Sequence, residues 1–91
     1  MTTKLCVGDL VKSLKGRDEG CVFLVVDVRE NKATIVDGKT RKLNAQKTKN
    51  IKHLIKLKVD GLSELATEIQ SGKIVGNSRV YKLIAQKIKE D

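Results

Sequence analysis

The sequence predicts a mainly β domain closed by C-terminal helices: about five short strands arranged as a small barrel, followed by two short amphipathic helices. Three observations carry this. Residues 10–58 hold short apolar runs separated by glycine-bearing turns at close spacing. The hydrophobic period then changes from strand-like to helical after Lys58. The whole chain is 91 residues without proline, which leaves room for one core only and favours a compact fold in which no strand edge stays bare.

The elements follow in order. Leu10 to Leu14 is a first strand, and Lys15 to Gly20 is a polar loop with glycine at both ends. Cys21 to Val28 reads C-V-F-L-V-V-D-V. An eight-residue apolar, β-branched run bounded by turns is a strand buried on both faces rather than a helix. Arg29 to Lys32 is a turn and Ala33 to Val36 a third strand. Asp37-Gly38 signals a two-residue hairpin, because such turns need positive φ and glycine supplies it. That hairpin makes Lys39 to Leu43 the returning strand and Asn44 to Asn50 a polar loop. Ile51 to Lys58 is a fifth strand. Its alternation places Ile51, His53, Ile55 and Leu57 on one face and Lys52, Leu54, Lys56 and Lys58 on the other.

Leu62, Leu65, Ala66 and Ile69 then recur at helical spacing, with Asp60 as the expected N-cap and Gly72 as the stop. Val80, Leu83, Ile84 and Ile88 mark a second helix from about Ser78 to Lys89, capped by Asn77. The division is residues 1–58 as a β unit and 59–91 as a helical appendage of the same single domain.

Charge is the strongest functional signal. The formal net charge is +8. Residues 1–30 contain five Lys/Arg and five Asp/Glu, and residues 59–91 again five of each. Residues 31–58 contain nine Lys/Arg against one acid, Asp37, so the entire excess sits there. Eight cations and no acid fall between Lys39 and Lys58. A localised excess of this kind calls for an anionic partner, nucleic acid before membrane.

Lys39, Arg41, Lys42, Lys47, Lys49, Lys52, Lys56 and Lys58 are candidate phosphate contacts, with Asn44, Gln46 and Asn50 as candidates for base edges or 2′-hydroxyls. Only Phe23 and Tyr81 are aromatic. Phe23 reads as core and Tyr81 as helix packing, which favours structured RNA recognised by backbone and shape over a stacking platform.

Other function classes find little here. No run of about 20 apolar residues is present, and the N-terminal residues lack the pattern of an export signal. A cytoplasmic location is expected, with Cys6 and Cys21 reduced, both read as small buried hydrophobes. The cysteines form no metal-ligand spacing. His53, the only histidine, alternates with isoleucines and reads as a partly buried structural group or a hydrogen-bond donor to RNA. No second His, paired carboxylates, nucleophile elbow or phosphate-binding loop accompanies it. The expectation is a binding protein: not an enzyme, with no cofactor, no small-molecule substrate and no membrane partner.

Val7 to Gly20 with the apolar strand after it resembles a KOW motif, in which a strand leads through a glycine-bounded polar loop into a hydrophobic strand; Gly20 matches the hallmark glycine. Val36-Asp37-Gly38, Arg41-Lys42-Leu43 and Lys49-Asn50-Ile51-Lys52-His53-Leu54 are similar to the short bacterial KOW proteins related to the archaeal and eukaryotic large-subunit ribosomal protein family fourteen-e. The resemblance spans about residues 7–57. It implies an SH3-like barrel that binds ribosomal RNA at the ribosome or during its assembly, with ribosomal proteins as further partners. It adds Lys15, Gly16, Arg17 and Gly20 to the candidate contacts. Glu19 and Cys21 depart from the residues common beside the hallmark glycine. The alternative from a different class is a KOW-type protein-interaction module docking on a transcription or ribosomal protein.

Overall fold

In the computed structural model, residues 5–39, 42–59, 61–73 and 75–89 are described. Five strands form one antiparallel sheet: β1 (Leu10–Ser13), β2 (Val22–Arg29), β3 (Lys32–Val36), β4 (Lys47–Asn50) and β5 (Leu54–Lys56). Two helices follow, α1 (Ser63–Gln70) and α2 (Asn77–Lys89). The strand order is β4-β3-β2-β1-β5, so β1 lies between β2 and the last strand. No ladder joins β4 to β5 among the described residues. By backbone pairing the sheet is therefore open.

β2 is apolar from Val22 to Val26 because both faces of that stretch are covered. Phe23 and Val25 point into one cluster with Leu5, Val11, Ala33, Ile35 and Leu54. Leu24 and Val26 point into another with Leu10, Val36 and the helical residues Leu65, Ala66, Val80 and Ile84. The register slips between Val25 and Asp27. This bulge inserts Val26 as an extra residue and bends the strand, which helps the sheet curl around the Phe23 cluster.

The helices pack on the sheet through the second cluster. α1 buries Leu65 and Ala66, as its apolar spacing predicts, and ends at Gly72, whose φ of 89° permits the reversal. Its N-cap position is Leu62, with no side-chain cap bond; Asp60 lies outside the described residues. α2 buries Val80 and Ile84, while Ile88 is 41% exposed. Glycines allow both helices to sit close. A Cβ on Gly8 would fall on the backbone of Ser63, and one on Gly38 on the backbone carbonyl of Asn77.

Several expectations need correction. No hairpin returns at Asp37-Gly38. Gly38 does adopt positive φ, 79°, but the strand that pairs with β3 is β4; of the expected strand Lys39–Leu43, residues 40 and 41 lie outside the described residues and Leu43 opens a 3-10 turn, Leu43–Ala45. The returning strand is β4, within the stretch expected to be loop. Gly38 and Leu43 both meet Asn77 of α2, which ties this connection to the helix before the chain returns. Residues 51–58 are also not one strand: Ile51–His53 form a second 3-10 turn, which resets the alternation. Leu54 is therefore core and Ile55 is 48% exposed, the reverse of the expected faces. Asn77 does not cap α2 with its side chain; its Oδ1 accepts a 2.7 Å hydrogen bond from Leu43 N. Cys6 is exposed rather than buried and Cys21 is half-buried; both are free thiols.

Candidate nucleic-acid interface

The loop between β1 and β2 is built by backbone bonds that need its glycines. Gly20 N donates to Ser13 O at 2.8 Å and Glu19 N to Gly16 O at 3.2 Å. Gly16 and Gly20 have φ of 94° and 87°, where a side chain is strained. Space is not the reason at Gly20, since an added Cβ would meet nothing within 4 Å.

A buried charge cluster holds this loop against β4. Lys49 Nζ donates to Asp18 Oδ1 (2.6 Å), Ser13 Oγ (2.8 Å) and Lys15 O (2.5 Å). Ser13 Oγ also lies 2.9 Å from Asp18 Oδ1. The side chains of Lys49 and Asp18 are 9% and 4% exposed. Asp18 Oδ2 makes no hydrogen bond among the described residues, but Lys47 Nζ stands 3.6 Å away. Burial alone would push the Asp18 carboxyl up. The hydrogen bonds from Lys49 and Ser13, with the charges of Lys49 and Lys47, outweigh it and hold the pKa at about 2.

The remaining candidates separate into three places. Lys15 and Arg17 are exposed on the β1–β2 loop, and Lys52 is exposed on the turn after β4. Leu14 N donates to His53 O at 2.8 Å, which brings that turn against the loop. His53 is half-buried. Desolvation, then the charges of Lys15, Lys52 and Lys49, push its pKa below the usual imidazole value. Lys39 and Lys42 are exposed on the β3–β4 connection, against α2. Lys56 is 49% exposed on β5 and 3.7 Å from Asp9. Lys58 is exposed just beyond β5.

The sequence therefore counted Lys49 as an outward cation, although it is buried against Asp18, and Lys47 stands half-buried beside the same carboxylate. Arg41 lies outside the described residues, as does the side chain of Asn44. Asn50 is also engaged: its Oδ1 accepts from Lys52 N at 3.0 Å, capping the turn. Gln46 is exposed. Sequence reasoning missed Ser13 and Asp18 as the anchor of the loop. An acid in a loop with two cations reads as solvated polarity, and only the packing of β4 across it marks it as buried.

Elsewhere, Asp27, Arg29, Glu30, Asn31, Lys32, Thr34 and Thr48 line a shallow depression of about 500 Å³. Arg29 Nε donates to Asp27 Oδ2 at 3.1 Å there. Among the described residues no three His, Cys, Asp or Glu side chains gather as a metal site. No helix of the described residues is long and apolar enough to cross a membrane. No family model matches the sequence, and no curated protein does either.

Proposed function

We propose that this chain is a cytoplasmic RNA-binding protein, not an enzyme, built as an SH3-like KOW barrel that grips structured RNA, ribosomal RNA foremost, at the ribosome or during its assembly. The barrel reading draws on the bulged, curled sheet and on the Lys49 bonds that lace β4 to the β1–β2 loop. One observation carries the binding reading. Exposed Lys15 and Lys52 adjoin His53, Arg17 is exposed on the same loop as Lys15, and the buried acid Asp18 is already paired with Lys49. Even with Glu19 exposed on the same loop, this end of the sheet presents a net positive charge from Lys15, Arg17, Lys47, Lys49 and Lys52 against Asp18 and Glu19, on a scaffold whose loop is pinned, so little ordering is needed when phosphates bind.

The test is the salt dependence of binding to a ribosomal RNA fragment. Replacing Lys15, Arg17, Lys47 and Lys52 with Gln should flatten the slope of log K against log salt by roughly 3 units, nearly one per lost phosphate contact. Replacing Arg29, Lys73, Arg79 and Lys89 removes the same formal charge and should leave the slope nearly unchanged. Equal losses from the two sets would reject a localised interface.

A second reading, docking on a transcription or ribosomal protein, draws on Leu14 and Ile55, which are 46% and 48% exposed. Lys12 pairs with Ile55 across β1 and β5, and Leu14 shares the face of Lys12. RNase treatment of a lysate separates the readings: it frees an RNA-bound chain and leaves a protein-docked one in its complex.

A further inference from the structure

The β3–β4 connection and α2 meet at a spot distinct from the β1–β2 loop. Gly38 packs so closely on α2 that an added Cβ would lie 3.0 Å from Tyr81 N as well as on the Asn77 carbonyl. Asp37 Oδ1 accepts from Lys39 N at 2.9 Å, and Leu43 N donates to Asn77 Oδ1 at 2.7 Å. These contacts hold the connection on the helix at both ends. The result is a particular surface: the Tyr81 ring, 44% exposed, with Lys39 Nζ 5.5 Å from its centroid. Lys42 and Lys82 are also exposed, one on the connection and one next to Tyr81 in the chain.

An exposed ring on a helix whose apolar face is already filled by Val80 and Ile84 adds nothing to the core. Its chemistry suits a flat π-system carrying negative charge. A base stacks on the ring face, and a neighbouring ammonium takes the attached phosphate. We propose that Tyr81 with Lys39 binds one unpaired nucleotide, the base on the phenol ring and its phosphate on Lys39. The site rests on the RNA-binding reading and deepens it. The β1–β2 loop end would hold paired backbone, while this spot would take a bulged or loop base of the same RNA. A duplex keeps its bases stacked inside and offers nothing to the ring.

The chain contains one tyrosine and no tryptophan, so its intrinsic tyrosine emission reports this position alone. The experiment titrates the full chain with a hairpin RNA carrying an unpaired loop and with a blunt duplex of the same stem, following both tyrosine emission and the anisotropy of labelled RNA. The expected result is quenching by the hairpin and not by the duplex. Tyr81→Ala should weaken hairpin binding roughly 5- to 150-fold, the range for losing one stacked base, and leave duplex binding unchanged. Tyr81→Trp should retain hairpin affinity, which separates stacking from mere loss of packing; circular dichroism confirms that each variant is folded. Lys39→Gln should flatten the salt slope for the hairpin by about one unit. Anisotropy showing tight hairpin binding with unchanged emission, or equal affinity in Tyr81→Ala, overturns this site and leaves the RNA-binding reading intact. No anisotropy change with either RNA overturns both.

Discussion

Asp18 offers the sharpest test of how the β1–β2 loop is held. Its carboxyl sits at a pKa of about 2 against an ordinary 3.8. A folded-state pKa below the unfolded one means that the ionised form stabilises the fold. That stabilisation is fully present above about pH 4 and disappears as pH falls toward 2. A shift of nearly two units corresponds to roughly 2 kcal/mol. Asp18→Asn imitates the protonated acid in shape and should cost about that much at pH 7. Asp18→Ala also removes the hydrogen bonds and leaves the buried Lys49 ammonium with only Ser13 and the Lys15 carbonyl. It should cost about 3–5 kcal/mol, a large share of the 5–15 kcal/mol typical of a domain. Adding Lys49→Met to Asp18→Ala should recover much of the loss, since an apolar pair no longer strands a charge. Urea unfolding of parent and variants from pH 7 down to pH 2 measures all of this. The gap between parent and Asp18→Asn should close as pH falls. A gap below about 0.5 kcal/mol at pH 7, or one that persists undiminished at pH 2, would refute the buried-pair account.

Other outcomes follow from the geometry. Gly20→Val should destabilise the domain by about 1–3 kcal/mol from backbone strain alone, because φ is 87° and the space around it is empty; a melting temperature within a degree of the parent would contradict this. Gly38→Ala should cost more than Gly20→Ala, since its Cβ also meets the α2 backbone; paired denaturation curves compare them. The imidazole of His53 should titrate below its ordinary value in the free chain, owing to desolvation and to Lys15, Lys52 and Lys49. Bound phosphate should raise it, so RNA affinity should strengthen as pH falls through the His53 range; proton NMR with and without RNA follows the shift.

Much of the fold was legible because burial on two faces writes a plain pattern. The run from Val22 to Val28 had to be a central strand, and the i, i+3, i+4, i+7 spacing from Leu62 to Ile69 had to face a core. The region from Asp37 to Lys56 was misread for one reason: its geometry is set by distant partners. Gly38 meets Asn77, Leu43 meets Asn77 and Lys49 meets Asp18, contacts 31 to 39 residues apart in sequence. Local turn chemistry cannot encode them. The positive segment was visible as charge, but its division into buried and outward lysines depended on which acid lay across the strand. Tyr81 was likewise read as packing, because helical periodicity places a ring near the apolar face without telling whether the sheet reaches it.

The way the helices seat on the sheet has a bearing on how the chain can be made and cut. Leu10, Leu24, Val26 and Val36 share their cluster with Leu65 and Ala66 of α1, Val80 and Ile84 of α2, and Val75 between them, with Val7, Leu43, Leu57 and Val59 packed at its margin. Until α2 is synthesised, this face of the sheet lacks Val80 and Ile84 from its cover. A fragment ending at Lys58 would keep its inner filling and lose its roof, leaving a sticky plate prone to self-association. The basic half of this protein is thus not a transplantable module. Any fusion, truncation or graft that borrows the β1–β2 loop must also bring the two helices, or supply an apolar cover of its own.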